Sequence, residues 1–258
     1  MNQKEVTIAK PVMLDKNFFS GHSVDCVILG FEQGEIKVLL LKWKAFEKWS
    51  LPGGFIGNDE DLDKAAIRIL QERTGISLPF LEQFHSFGDV NRKGKESFLS
   101  EIKSLIGHDS NLINWISQRF ISTGYLSLVN IKKCNLVPDE LSERCEWVSL
   151  NNVSNLIYDH NEMIKMALQK IKMQLNYLPI GITLLDSKFT MKELQLLYQS
   201  ILGKEIDRGN FQKKMLKLDI LIRLEKQNLG GAHKAPYLYK FDKLKYKKLL
   251  KKGFGYIN

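Results

Sequence analysis

Cysteine is scarce: the 258 residues hold three, Cys26, Cys134 and Cys145. They are far apart and form no Cys-x-x-Cys pair, which argues against a zinc ribbon or a disulfide framework and for reduced thiols in a cytoplasm. Long hydrophobic runs are missing too. No apolar stretch approaches the roughly twenty residues that cross a bilayer, and the opening segment lacks the apolar centre of an export signal. The expectation is therefore a cytoplasmic protein with no membrane partner. No internal repeat or low-complexity tract is present, which excludes solenoid and array architectures. Acidic residues are scarce in one region only. From residue 176 onward 17 Lys plus Arg face 7 Asp plus Glu, whereas residues 1–175 carry 21 against 22. The net charge of +9 thus belongs to the last third, a pointer to nucleic acid or another polyanion. A solvated lysine tail would explain residues 243–252 but not the whole segment.

What is present supports real cores: 44% apolar and 10% aromatic residues suit one large or two modest domains. Residues 1–20 show no convincing periodicity and read as a leader. Residues 23–31 and 36–42 are β-rich runs split by Glu32-Gln33-Gly34-Glu35, a hairpin pattern. Residues 49–57 read as loop and 60–74 as helix, then 81–87, 120–131 and 145–150 as strands, with a helix over 159–175. Between them, 93–114 looks like an insertion, with a short helix predicted over 97–106 from its apolar spacing. Pro179 and Gly181 mark a boundary where the charge balance also changes.

Beyond that boundary the pattern becomes helix, helix, hairpin. Thr190 caps a helix to Leu202, with Glu193 in capping-box position and Gly203 as the stop. Asp207 caps a second, with Phe211, Met215 and Leu218 inward and Arg208, Asn210, Gln212, Lys213, Lys214 and Lys217 on its other faces. Two β-runs then flank a loop containing Gly230, Gly231, His233 and Lys234, which makes a winged helix-turn-helix arrangement. Arg and Lys neutralise phosphates or address guanine, and Asn and Gln can pair bidentately with adenine in a major groove. An ordinary solvated helix face is the bland alternative.

One stretch carries more chemistry than the rest. Trp49-Ser50-Leu51-Pro52-Gly53-Gly54-Phe55 is followed by Glu60, Arg68, Leu70, Glu72, Gly75 and Ile76 at set spacings. This resembles the Nudix box, Gly-x5-Glu-x7-Arg-Glu-U-x-Glu-Glu-x-Gly-U with U a bulky aliphatic. In working Nudix enzymes three glutamates at i, i+3 and i+4 of the helix hold magnesium. Here those positions read Ile69, Glu72 and Arg73. Magnesium wants octahedral oxygen donors, so one glutamate beside an arginine predicts a binding pocket and not a magnesium hydrolase. Read without the resemblance, the same stretch is an amphipathic core helix.

A degenerate Nudix box followed by Phe189-Thr190-Met191-Lys192-Glu193-Leu194 and Asp207-Arg208-Gly209-Asn210-Phe211-Gln212 is similar to the Nudix-related transcriptional regulators, as are Gly88-Asp89-Val90-Asn91-Arg92 and Asp159-His160. The resemblance implies an α+β chain: a Nudix domain built as a mixed sheet in an α/β/α sandwich over residues 21–175, and a winged helix-turn-helix domain with a basic tail over 176–258. It implies a homodimeric regulator, a repressor by expectation, that binds double-stranded operator DNA and is released by a small-molecule effector such as ADP-ribose or L-arabinose. Arg68, Glu72, Asp89, Arg92 and Arg119 are the effector-binding candidates. Arg208, Asn210, Gln212, Lys213, Lys214, Lys217, His233 and Lys234 are the DNA-binding candidates. No catalytic residue, metal or cofactor is expected. Plainer roles stay open: Arg68 with Glu72 as an i, i+4 brace, Arg119 on a solvent face, Trp49 and Phe55 as core, His160 as packing at a helix start. Two other functions remain in play, a Nudix hydrolase whose magnesium site is completed by residues such as Asp89, and a dimeric scaffold that binds RNA.

Overall fold

Apolar residues on both faces of the first strand dictate a sheet covered on two sides. In the computed structural model, which describes residues 17–44, 47–76, 80–92, 114, 117–139, 141–175, 180–227 and 235–252, β1 (Phe18–Glu32) places Val24, Cys26 and Ile28 in one core and Val27 and Leu29 in another. All five are fully buried, and a strand buried on both faces reads as a continuous hydrophobic run. The chain returns along β2 (Glu35–Trp43) through a turn whose two residues, Gln33 and Gly34, take φ of 53° and 84°, the left-handed pair that matches strand twist in a tight hairpin.

β3 (Trp49–Ser50), β4 (Gly53–Gly57), β5 (Phe80–Phe87), β6 (Ile121–Val129) and β7 (Ser142–Ser149) complete a seven-stranded sheet. Its order is β3-β2-β1-β6-β5, with β4 added to β1 and β7 to β2. β1 and β6 run parallel and the other pairs antiparallel, so the sheet is mixed. α1 (Leu62–Thr74) lays Ala65, Ala66, Ile69 and Leu70 on one face. α2 (His160–Gln174) lays Met163, Ile164, Ala167 and Ile171 on the other. This is the expected α/β/α sandwich.

The second unit follows α3 (Gly181–Leu184). β8 (Phe189–Thr190) leads into α4 (Met191–Leu202), whose capping box forms in full: the Glu193 amide donates to Thr190 Oγ1 (3.2 Å) and the Thr190 amide to Glu193 Oε2 (2.7 Å). Gly203, at φ 69°, ends it. α5 (Arg208–Lys217) starts at Asp207, which accepts from the Asn210 amide at 2.8 Å. β9 (Leu221–Lys226) and β10 (Tyr237–Phe241) form the wing, with β8 as a third strand against β10. Phe189, Leu194, Leu197, Phe211, Met215 and Tyr239 join the same apolar cluster as Val27, Leu29, Leu40 and the α2 residues. The winged unit and the sheet therefore share a core instead of being strung on a linker.

Four details differ from the sequence reading. Residues 49–57 contain β3 and β4 because β2 offers a ladder partner to the first and β1 to the second, which a glycine-rich string does not advertise. β1 begins at Phe18, inside the expected leader, where it pairs with Gly57. The strand expected over 120–131 stops at Val129, and Asn130 caps a 3₁₀ turn at Ile131–Lys133. The basic tail forms a helix, α6 (Lys243–Lys252). The helix predicted over 97–106 and the hairpin tip with His233 and Lys234 lie outside the described residues.

Candidate functional site

Asp61 starts α1 by accepting from the Lys64 amide at 2.8 Å, and Gly75 at φ 70° stops it. Between these ends Arg68 reaches back to the loop. Its Nε and Nη2 donate to the two oxygens of Glu60 at 2.9 and 2.8 Å, and Nη2 also to the Phe55 carbonyl at 3.0 Å. Fork-on-fork pairing of this kind is strong and directional. Glu60 in turn accepts from the Gly57 amide at 3.1 Å, so the loop is clasped to the helix. The guanidinium holds the Glu60 carboxyl below its ordinary range, and Glu60 raises Arg68.

The clasp forms the floor of an open cleft of about 590 Å³ lined by Asn17, Phe18, Gly57, Asn58, Asp59, Glu60, Arg68 and Glu72. Three carboxylates against one guanidinium give it acceptors for hydroxyl groups and one strong cationic donor. Of the effector candidates, Arg68 and Glu72 line it. Asn17 and Phe18 were missed because their strand start depends on pairing with residues 57 and 58, and nothing local signals that.

The cleft does not fit the magnesium that a Nudix box implies. Ile69 is 1% exposed, inside the α1 core, with its side chain against Gly54. Glu72 lies 3.7 Å from both Arg68 Nη1 and Arg73 Nη2, and Arg73 also reaches Asp139 at 3.7 Å. Guanidinium groups stand where metal charge would be needed, and Glu60 is already spoken for by Arg68. Among the described residues no group of three or more His, Cys, Asp or Glu is assembled for a metal.

Arg92 is elsewhere, and interior. Its side chain is 5% exposed. Nε donates to both oxygens of Asp159 (3.0 and 2.9 Å), Nη1 to the Phe120 carbonyl (3.1 Å) and Nη2 to Asp25 Oδ2 (3.2 Å). The guanidinium also lies 5.4 Å from the Tyr158 ring. Ser122 Oγ donates to the same Asp25 oxygen at 2.5 Å. Gly53 is required alongside: a Cβ there would stand 2.1 Å from Asp25 Oδ1. Asp89 is exposed and accepts from the Asn91 amide at 2.7 Å, shaping the turn that delivers Arg92. Arg119 is exposed just before β6. The sequence thus placed five residues in one pocket, whereas the structure brings two to the cleft, buries one in an ionic cluster, and leaves two at its approaches.

His160, the first residue of α2, closes the cluster. Its Nδ1 accepts from the Leu51 amide at 3.0 Å, so Nε2 carries the proton and faces Asp25 Oδ1 at 3.6 Å. Burial lowers its pKa, Arg92 adds to that, and Asp25 and Asp159 oppose it. A histidine kept neutral by the fold takes up its proton on unfolding. Its contribution is complete above the unfolded value of 6.5 and is lost as pH falls below it. Thermal unfolding between about pH 7 and pH 5 is expected to drop more steeply in the wild type than in His160→Gln; parallel curves would exclude this role.

The winged unit presents a basic surface. On α5, Arg208, Asn210, Lys213, Lys214 and Lys217 are exposed and Gln212 is half-buried, while Phe211 and Met215 point inward. On the wing strands Arg223 and Lys226 lie 4.6 and 5.4 Å from the exposed Tyr237 ring. A helix with no acidic side chain beside a basic hairpin has the groups and the shape for a duplex groove.

Comparison with known proteins agrees with both halves. The NUDIX domain family matches residues 20–168, and the NrtR DNA-binding winged helix domain matches residues 181–241. The chain is 28% identical over 226 residues, 85% of this chain and 81% of the relative, to the ADPR responsive transcriptional repressor NtrR of Acinetobacter baylyi. The crystal structure of Shewanella oneidensis NrtR superposes with a TM-score of 0.66 at 25% identity, covering 86% of this chain and 94% of that one. The same protein complexed with a 27mer DNA gives 0.67 at 24% identity, over 87% and 95%. With a NUDIX domain whose metal carboxylates are displaced, and an NrtR-type winged helix behind it, the chain belongs to the NUDIX family and to its branch of Nudix-related transcriptional regulators.

Proposed function

We propose that this protein is a transcriptional repressor that binds operator DNA as a homodimer and is released when its Nudix-type cleft binds ADP-ribose, without hydrolysing it. One observation carries the reading. A single chain joins an α1 whose magnesium positions hold a core isoleucine and an ion-paired arginine to an exposed basic α5 of the kind that enters a major groove. The relative's response to ADP-ribose supplies the effector. The cleft chemistry suits it: carboxylates of Asp59 and Glu72 accept from ribose hydroxyls, Arg68 meets phosphate oxygen, and Phe18 offers a ring face. Arg92 stays with Asp25 and Asp159 in the interior, and Asp89 shapes the turn before it. Arg208, Lys213, Lys214 and Lys217 hold phosphates, with Asn210 and Gln212 reading bases.

The test is binding of a duplex from the chain's own upstream region, followed by competition with ADP-ribose. Retardation that ADP-ribose reverses supports the reading; absence of binding to any duplex at low salt overturns it. Magnesium-dependent phosphate release from ADP-ribose, abolished in Glu72→Gln, would replace it with a hydrolase. Asn210→Ala is expected to weaken specific binding by about 1–3 kcal/mol, the worth of a good bidentate base contact, while binding to a random duplex stays the same. Equal losses on both duplexes would move Asn210 from base reading to backbone contact.

A further inference from the structure

We propose that α6 is a phosphate-binding arm that extends the DNA footprint beyond the winged helix, a proposal that rests on the DNA-binding reading above. The matched winged-helix domain ends at Phe241, and α6 begins two residues later. Six of its ten residues are lysine and none is acidic.

A lysine run of this kind is often a mobile solvated tail, but this one is fastened. Asp242 caps it, accepting from the Leu244 and Lys245 amides at 3.0 and 3.1 Å. Tyr246 and Leu249, three apart and so on one edge of a helix, are half-buried, and Tyr246 meets the Phe241 ring edge-on at 6.0 Å. Lys245 Nζ pairs with Asp219 at 2.7 Å, in the turn that follows α5. One edge of α6 is therefore docked at the C-terminal end of the recognition helix, whose last turn carries Lys214 and Lys217. Lys243, Lys247 and Lys248 are left exposed.

Ten helical residues span about 15 Å, and duplex DNA carries one negative charge per roughly 1.7 Å of axis. An arm of this length meets several phosphates next to those held by α5. The same geometry argues against a bilayer as the occupant. A surface-lying helix needs its apolar face outward, and here Tyr246 and Leu249 face the protein, leaving Leu244 alone exposed among the described apolar residues of α6.

The experiment compares wild type, K243Q/K247Q/K248Q, and a charge-matched control, K64Q/K165Q/K172Q, on the upstream duplex and a random one across a salt series. Each lost phosphate contact removes about 0.9 from the slope of log affinity against log salt. The arm variant is expected to lose about 2–3 from that slope on both duplexes and to bind roughly tenfold more weakly at low salt, with the control unchanged. An arm variant whose slope equals the wild type's overturns the proposal while leaving the DNA-binding reading intact. A wild type that binds neither duplex overturns both. Unfolding temperature is read in parallel, since α6 is fastened through Asp242, Lys245, Tyr246 and Leu249 while the three substituted lysines are exposed; a variant that unfolds early locates these lysines in the fold and refutes the arm.

Discussion

Arg92→Met is expected to lower the unfolding free energy by about 3–5 kcal/mol, the usual loss when one member of a buried ion cluster is removed. For a chain of this size that is roughly 6–20 °C in unfolding temperature, read by calorimetry or urea titration. Methionine keeps most of the volume, so the loss is electrostatic and not a cavity. It leaves Asp25, whose side chain is 10% exposed, with Ser122 as its near donor, and leaves Asp159 unpaired at the start of α2. Arg92→Lys should recover little, because an ammonium cannot address Asp25, Asp159 and the Phe120 carbonyl from one plane. Adding Asp159→Asn to Arg92→Met should recover part of the loss, and the double-mutant cycle then gives the coupling. A change under about 1 kcal/mol in Arg92→Met would mean that the cluster is solvated and that Arg92 is available to ligand after all.

That cluster also marks where sequence reading stops. The capping box of α4 was legible because Thr190, Glu193 and Gly203 lie within one helix and act on their own backbone. The same holds for Asp207 on α5 and Gly75 on α1. The Arg68–Glu60 clasp spans eight residues and appears in the sequence only as fixed spacing. Asp25, Arg92, Ser122 and Asp159 come from four separate segments, and no local pattern records that β1, β6 and α2 will converge there. Arg92 was singled out by its Asp-Val-Asn-Arg setting, but its burial could not be read from it. β4 was missed for the opposite reason. Its glycines look like loop, and Gly53 is required by a neighbour twenty-eight residues away in sequence, Asp25. α6 lacked an apolar stripe strong enough to stand out from its lysines, and its docking on Phe241 and Asp219 is tertiary.

Arg68 and Glu72 can be separated by the same measurement, ADP-ribose affinity followed alongside DNA affinity. Arg68→Gln is expected to weaken ADP-ribose binding by roughly 10–150-fold, the range for hydrogen bonds from a charged donor, while DNA binding without ligand holds. The variant removes the cleft's one cation and releases the Phe55–Glu60 loop from α1. Glu72 differs in kind. At 3.7 Å from Arg68 Nη1 and from Arg73 Nη2 it makes ion pairs and no hydrogen bond, and its side chain is 45% exposed. As a brace it contributes about 0.3–0.5 kcal/mol, so Glu72→Gln would scarcely move stability. Arg68 does not hold its carboxylate by hydrogen bonds at both oxygens, as it does Glu60's, and that is what suits it to a ribose diol. A tenfold loss of ADP-ribose affinity in Glu72→Gln at unchanged unfolding temperature assigns it to recognition. Affinity within about twofold of wild type assigns it to the helix, and leaves recognition of ADP-ribose in the cleft to Arg68.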